Sequence, residues 1–234
     1  MKHLRTVEDR LREEYFSLQA DVERVAEQLE TEIRHCLLPF LLRLKKYEQI
    51  VIKARVKDCE SAINSLRRRQ ESRAFKQSRP RQYTLTALKD LVGVRVLIFP
   101  RTMLPAIDAA LHKHFRRWKA DPVPGLYEAN APLARKYYGH CKASKTIHAE
   151  YQIVPMLTGL FWDVEHAAIY KPAPQLQDAV KHPDIQIRIQ GIYKAFQDFE
   201  LELVEKIASF RAFGRRPILR VRPRALRKMK VRKT

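Results

Sequence analysis

Apolar residues recur at steps of three and four through Val7, Leu11, Tyr15, Leu18, Val22, Val25, Leu29 and Ile33, with charged residues between them. That period predicts a helix over Val7–Lys46, laid on a core by its apolar stripe; the stretch is short for a free coiled coil. Pro39 predicts a break, leaving a second short helix over Leu41–Gln49. Val51–Arg55 then reads as a short strand and Lys57–Gln70 as a helix, followed by a loop over Gln77–Gln82. A short helix is expected over Thr84–Leu91, capped by Thr84 or Thr86. The clearest strand is Val92–Phe99, dense in Val, Leu and Ile and ended by Pro100. Beyond it the pattern predicts a helix over Leu104–His114, a strand over Arg116–Lys119 and a loop over Asp121–Ala134. A strand over Ile147–Ile153 follows, then a helix over Leu157–Tyr170 and a Pro-containing linker over Lys171–Gln177. The last periodic segment, Gln186–Phe213, places Ile189, Ile192, Phe196, Phe199, Leu203 and Ile207 on one stripe of a long helix. Together these elements predict an α+β fold: a small mixed β-sheet flanked by helices, with long helices at both ends.

Charge adds a partner class to this picture. The chain carries 46 Lys and Arg against 26 Asp and Glu, a formal net charge of +20, which points to anionic partners: nucleotides, nucleic acid or an anionic surface. Eleven of those cations lie between Phe210 and Thr234, where no acid occurs. In this tail Arg215, Arg216, Arg220, Arg222, Arg224, Arg227 and Lys228 are candidates for contacting nucleic-acid phosphates, or the tail is a generic polycation. A second basic cluster holds Arg67, Arg68, Arg69, Arg73, Lys76, Arg79 and Arg81. The three cysteines, Cys36, Cys59 and Cys141, form no CxxC pair, so a structural zinc site is not expected and reduced thiols in a cytoplasmic protein are. The N-terminus lacks the apolar core of a secretory signal, and no run of about 18 apolar residues exists to span a membrane.

Candidate chemistry concentrates in a few places. Asp90 precedes the apolar run in LKDLVGVRV, and Glu150 lies inside the alternating HAEYQI. Two carboxylates on neighbouring strands amid Lys and Arg can hold magnesium and a polyphosphate, and Glu150 can serve as a general base. Alternatively, Asp90 caps a turn and Glu150 sits on a solvated strand face. Arg55, Lys57 and Ser61 in RVKDCES can grip phosphate oxygens, Arg by paired hydrogen bonds and Lys as a point charge. Tyr137, Tyr138, Gly139 and His140 offer either a stacking platform for a base or a plug that seals the preceding loop onto the core. Trp162, His166 and Tyr170 share one helical face, with Trp162 assigned to packing.

Four segments, in order, resemble the synthetase domain of the RelA/SpoT family in its short form, the small alarmone synthetases. RVKDCES resembles the family's RxKxxxS segment, LKDLVGVRV its DxxGxR strand entry, AEYQI its ExQ strand, and FWDVEHAAIYKP the helix that follows. The resemblance spans about Val51 to Pro172. It implies a nucleotidyltransferase-like catalytic domain over 51–172, with a helical region over 1–50, a packing helix over 173–213 and a basic tail over 214–234. The implied activity is an ATP-dependent pyrophosphokinase that moves the β,γ-diphosphate of ATP to the 3′-hydroxyl of GDP or GTP. By position, Arg55, Lys57, Ser61, Arg67 and Arg95 would bind ATP, and Asp90 and Glu150 would hold Mg2+. Glu150 would act on the acceptor hydroxyl with Gln152 in support, while Tyr137, Tyr138, His140 and His148 would bind the acceptor.

The chain departs from the family pattern at YYGHCKASK, where Tyr and Gly are reversed relative to GYxxxH. Val154 and Pro155 stand where an Arg-Thr pair is usual, and Arg67 stands in for a family Lys near position 65. The altered acceptor motif and basic tail suit the toxic branch of the family. That branch modifies the 3′ end of tRNA and implies an antitoxin protein as partner. A third expectation is an inactive relative that binds RNA or a partner protein.

Overall fold

The computed structural model describes residues 6–71, 83–121, 134–165 and 182–214. Its centre is a five-stranded mixed sheet in the order β1-β2-β5-β4-β3. The strands are β1 (Gln49–Val56), β2 (Val92–Phe99), β3 (Lys119–Ala120), β4 (Arg135–His140) and β5 (His148–Pro155). β2 and β5 pair in parallel; the other pairs are antiparallel. The helices are α1 (Val7–Leu41), α2 (Cys59–Glu71), α3 (Leu104–His114), α4 (Met156–Glu165) and α5 (Pro183–Gly214). The α+β class, the mixed sheet and the long terminal helices agree with the periodicity.

Alternation gives the sheet two unlike faces. One carries Ile52, Val92, Val94, Val96, Ile98, Ala149, Tyr151 and Ile153, all buried. α1 covers it with Val22, Val25, Leu29, Ile33 and Leu37, and α3 with Ile107 and Leu111. Near 25 cal/mol per Å² of apolar surface removed from water, this layer is the main stabilising contact of the fold. The opposite face changes character along its length. At one end Leu97 and Val154 are buried with Met156 of α4, with Val51, Phe99 and Trp162 packed around them. At the other end the same face carries Arg55, Gly93, Glu150 and Tyr138.

Several elements differ from the sequence reading. α1 runs through Pro39 and ends at Leu41, with no second helix over Leu41–Gln49. Pro39 lies in the last turn, where one missing N–H removes a single bond and the closing bond, Leu42 N–H to the Leu38 carbonyl at 3.1 Å, survives. Thr84–Leu91 contains only a 3-10 turn, Leu85–Ala87, and neither Thr84 nor Thr86 caps it. The Thr84 hydroxyl instead donates to Glu14 of α1, whose carboxylate also accepts from Leu85 N–H at 2.9 Å. The strand expected over Arg116–Lys119 is the two-residue β3, shifted to Lys119–Ala120. β4 was not expected. The parts of the predicted loops and linker within 72–82, 122–133 and 166–181, the positions of His166 and Tyr170, and the tail from 215 onward lie outside the described residues.

Two glycines let layers approach closely. A Cβ at Gly159 would fall 2.3 Å from Leu97 Cδ2, the tip of a side chain that can rotate away. A Cβ at Gly139 would fall 2.5 Å from the Trp118 ring, a bulky group packed on Phe115 and Tyr151. Gly139→Ala is therefore expected to lower unfolding stability by about 1–3 kcal/mol, the usual cost of overpacking, with Gly159→Ala costing less. Paired denaturant unfolding curves check both.

Candidate active site

One row of the sheet assembles the polar end. Register pairs Arg55 with Gly93, Gly93 with Glu150, Glu150 with Tyr138, and Tyr138 with Lys119. Because Gly93 has no side chain, the strip between Arg55 and Glu150 is open. A Cβ there would touch Arg55 Nε and Glu150 Cγ, each at 3.5 Å. Two residues along, the next row holds Lys53, Arg95, Gln152 and Lys136. On the other side of Glu150, His148 pairs with His140, and their ring centroids stand 3.8 Å apart. The His140 Nδ1–H donates to the Ile147 carbonyl at 3.2 Å, which fixes its tautomer.

Glu150 is only 3% exposed. Gln152 Nε2 donates to Glu150 Oε1 at 2.5 Å. The Gln152 oxygen in turn accepts from Arg95 Nε at 3.3 Å, and the Arg95 guanidinium is held from α4 by Asp163 at 2.6 Å and the Gly159 carbonyl at 3.3 Å. Trp162 lies beneath that guanidinium, 5.8 Å from ring centroid to Cζ. This chain of donors fixes one oxygen of Glu150, and the Tyr138 hydroxyl also hydrogen-bonds to the carboxylate. Arg95, expected at the ATP site, is thus engaged in orienting Gln152.

Asp90 sits in the turn entering β2. The turn is tied to the end of β1 by Lys57 N–H donating to the Leu91 carbonyl at 2.9 Å. That bond explains why Lys57 reaches Asp90: its Nζ lies 2.6 Å from Oδ2. Arg69, one of the α2 arginines, takes the other oxygen at 3.0 Å. Burial alone would raise the Asp90 carboxyl, but Lys57, Arg69 and Arg55 outweigh it and hold the group below its ordinary value. Lys57 is pushed below its ordinary value by burial, partly offset by Asp90. Its Nζ also lies 3.4 Å from the buried Ser65 hydroxyl.

The structure brings Arg55, Lys57, Asp90, Arg95, Tyr138, His148, Glu150 and Gln152 to one end of one face. Burial and the charges of Glu150, Asp121 and Asp90 raise the Tyr138 phenol well above its ordinary value, so the hydroxyl stays protonated near both candidate acids.

Two of the candidates go elsewhere. Tyr137, one residue out of phase with Tyr138, points into the core at 6% exposure and donates to Asp108 of α3 at 2.6 Å. Burial first, then that bond, raises its phenol to about 12. It belongs to the packing and not to an acceptor pocket. Arg67 pairs with Glu8 of α1 on the exposed side of α2 and does not reach Asp90. Sequence reasoning singled out neither Ser65 nor Arg69 for this site. Their signal was the four-residue step Ser61, Ser65, Arg69, one face of α2 continuing from the phosphate-gripping segment. Ser61 itself donates its N–H to Asp58 at 2.8 Å at the start of that helix.

Fold and site define a class: an α+β domain whose sheet carries a buried Glu150 on one face and, at the same end, Asp90 held by Lys57 and Arg69. No family sequence model matches the chain, and no curated protein matches it. Solved structures do match. The small alarmone synthetase 1 from Bacillus subtilis superposes with a TM-score of 0.60 at 14% identity, covering 86% of this chain and 99% of that one. The same protein has been solved bound to its product pppGpp (TM-score 0.60, 14% identity, 85% and 99% covered) and bound to AMPCPP (0.59, 12%, 86% and 99%). A GTP pyrophosphokinase family protein from Streptococcus pneumoniae matches with a TM-score of 0.60 at 17% identity, covering 86% of this chain and 96% of that one. This chain has the fold of the small alarmone synthetases. Among the described residues no helix is long and apolar enough to cross a membrane.

Proposed function

We propose that the protein is an ATP-dependent pyrophosphokinase that transfers the β,γ-diphosphate of ATP to the 3′-hydroxyl of GDP or GTP. The observation that carries this reading is the row Arg55–Gly93–Glu150–Tyr138, with Asp90 clasped by Lys57 and Arg69 at the same end. The same fold in Bacillus subtilis binds AMPCPP and pppGpp, a triphosphate analogue and a 3′-pyrophosphorylated product.

Magnesium fits these residues. Among the described residues no group of three or more metal-ligating side chains exists, so no site closed by protein alone is on offer. Magnesium needs only one or two hard carboxylates, completed by phosphate oxygens and water, and Asp90 with Glu150 supply them. When bound, it would neutralise charge on the diphosphate during transfer. Lys57 and Arg69, which now occupy Asp90, are the cations that incoming phosphates would draw away; Arg55 flanks the open strip at Gly93. Glu150 takes the proton of the acceptor hydroxyl while Gln152 donates to its Oε1 and holds the carboxylate in place. The bond from the acceptor O3′ to the β-phosphorus forms as the bridge from the β-phosphorus to the α-phosphate oxygen breaks. AMP leaves with that oxygen and its electron pair. Tyr138 and His148 flank Glu150 and would face the acceptor.

A second reading, the 3′ end of tRNA as acceptor, is supported by a cation-lined cavity that opens beside Tyr138. Incubation with γ-labelled ATP and GDP, GTP or bulk tRNA separates the two. The account expects label on the guanine nucleotide; label on tRNA alone selects the second reading. Label nowhere, in a sample that binds an ATP analogue, leaves only a binding protein.

A further inference from the structure

Arg95 is a long side chain on β2 that α4 holds in one place. Gly159, Trp162 and Asp163 stand at i, i+3 and i+4 on one face of that helix, and all three meet the guanidinium. The Gly159 carbonyl accepts at 3.3 Å and the Trp162 ring lies beneath. The Asp163 carboxylate is the nearest of the three, 2.6 Å from the same Nη1. α4 begins at Met156, directly after β5 ends at Pro155, so its position is tied to the strand that carries Gln152. α5 pins the same helix from outside: Tyr193 donates to Glu165, and the Phe161 ring meets Tyr193 and Phe196 edge-on. Asp163 therefore reaches Arg95 from a fixed platform.

From that position Arg95 sets a direction. A glutamine amide carries an oxygen on one side and an NH2 on the other, and a guanidinium only donates. Arg95 Nε, 3.3 Å away, therefore admits only the Gln152 oxygen on its side and turns the NH2 to Glu150, where it donates at 2.5 Å. With Arg95 swung away, the buried amide is free to turn over and set its oxygen against the carboxylate, a repulsive contact. We infer that Asp163 is a positioning residue for diphosphate transfer: it anchors Arg95 so that the Gln152 amide faces Glu150 with its donor side. The Asp163 side chain is 58% exposed, so the ion pair adds little to stability and its consequence is orientation. The effect on rate rests on the pyrophosphokinase reading; the direction of the Gln152 amide does not.

Asp163→Ala should lower kcat about 10–100-fold, the range that a small misplacement of a catalytic group costs, while the KM values for ATP and acceptor stay within about twofold. The thermal midpoint should stay at the parental value. Asp163→Asn, which keeps an acceptor for Arg95, should recover most of the loss. In a Gln152→Ala background Asp163→Ala should cost nothing further, because it acts only through that amide. Side-chain amide NMR of the full chain labelled at glutamine reads the same arrangement without turnover. The Gln152 NH2 signal, identified by its absence in Gln152→Ala, should shift in Asp163→Ala and return in Asp163→Asn. An unmoved Gln152 signal in Asp163→Ala would overturn the proposal. So would losses that add in the double variant, or a loss confined to the KM for ATP, which would place Arg95 on the nucleotide. If the parent forms no AMP from ATP, the enzymatic reading fails and the NMR shift alone decides the direction of the amide.

Discussion

Glu150→Gln is expected to lower the rate of diphosphate transfer by about 10³–10⁴-fold, the upper part of what a positioned general base contributes. The substitution keeps shape and volume in a position that is 3% exposed, so packing around Tyr151 and Val94 is undisturbed. What it removes is the negative charge and the lone pairs that can take a proton. The Gln152 amide, which donates to Oε1 at 2.5 Å, can donate equally to an amide oxygen. The thermal midpoint should therefore stay close to that of the parent while single-turnover transfer collapses. Transfer retained within tenfold would show that the proton goes elsewhere.

Asp90→Ala carries the second large effect, and its signature differs. Asp90 neutralises Lys57 and Arg69, and the side chains of the Lys57–Asp90 pair are only 12% and 16% exposed. Removing it leaves two facing cations, an uncompensated arrangement that costs about 3 kcal/mol, the lower end for a broken buried pair. Because the folded state holds Asp90 below its ordinary value, its contribution is present above about pH 4 and is lost as pH falls through the lowered value. The stability gap between parent and variant should accordingly close in acid. The freed cations should also bind ATP without magnesium at least as well as the parent does, while transfer is lost. Tight nucleotide binding without turnover in Asp90→Ala, measured by calorimetry beside the transfer assay, separates a metal-holding role from simple misfolding. A variant that transfers at the parental rate would remove Asp90 from the chemistry.

The parts of this protein visible in its sequence are those whose signal is local. β2 reads as a strand because it is interior to the sheet and apolar at every position but Gly93 and Arg95. The stripe of α1 reads as a helix because one face alone is buried. β4 is short and lies between a two-residue edge strand and β5; RKYYGH alternates charged, aromatic and small residues with no clear apolar phase. Missing that strand left the two tyrosines indistinguishable, whereas a period of two sends Tyr137 to Asp108 and Tyr138 to Glu150. The choice of Arg69 over Arg67 is likewise a matter of phase: two residues apart on a helix is about 200° of turn. The Lys57–Asp90 pair spans 33 residues and exists because β1 and β2 pair with the register Val56 to Val92, which no local pattern encodes. The redirection of Arg95 toward Gln152 and Asp163 depends on how closely α4 settles at Gly159, again a tertiary matter.

The most direct measurement is the nucleotide left behind when the protein consumes ATP in the presence of its acceptor. Transfer of a diphosphate unit yields one AMP for each acceptor that gains two phosphates, and Glu150→Gln should abolish both together. ADP in place of AMP, or AMP formed with no matching gain on any acceptor, would contradict diphosphate transfer at this carboxylate pair.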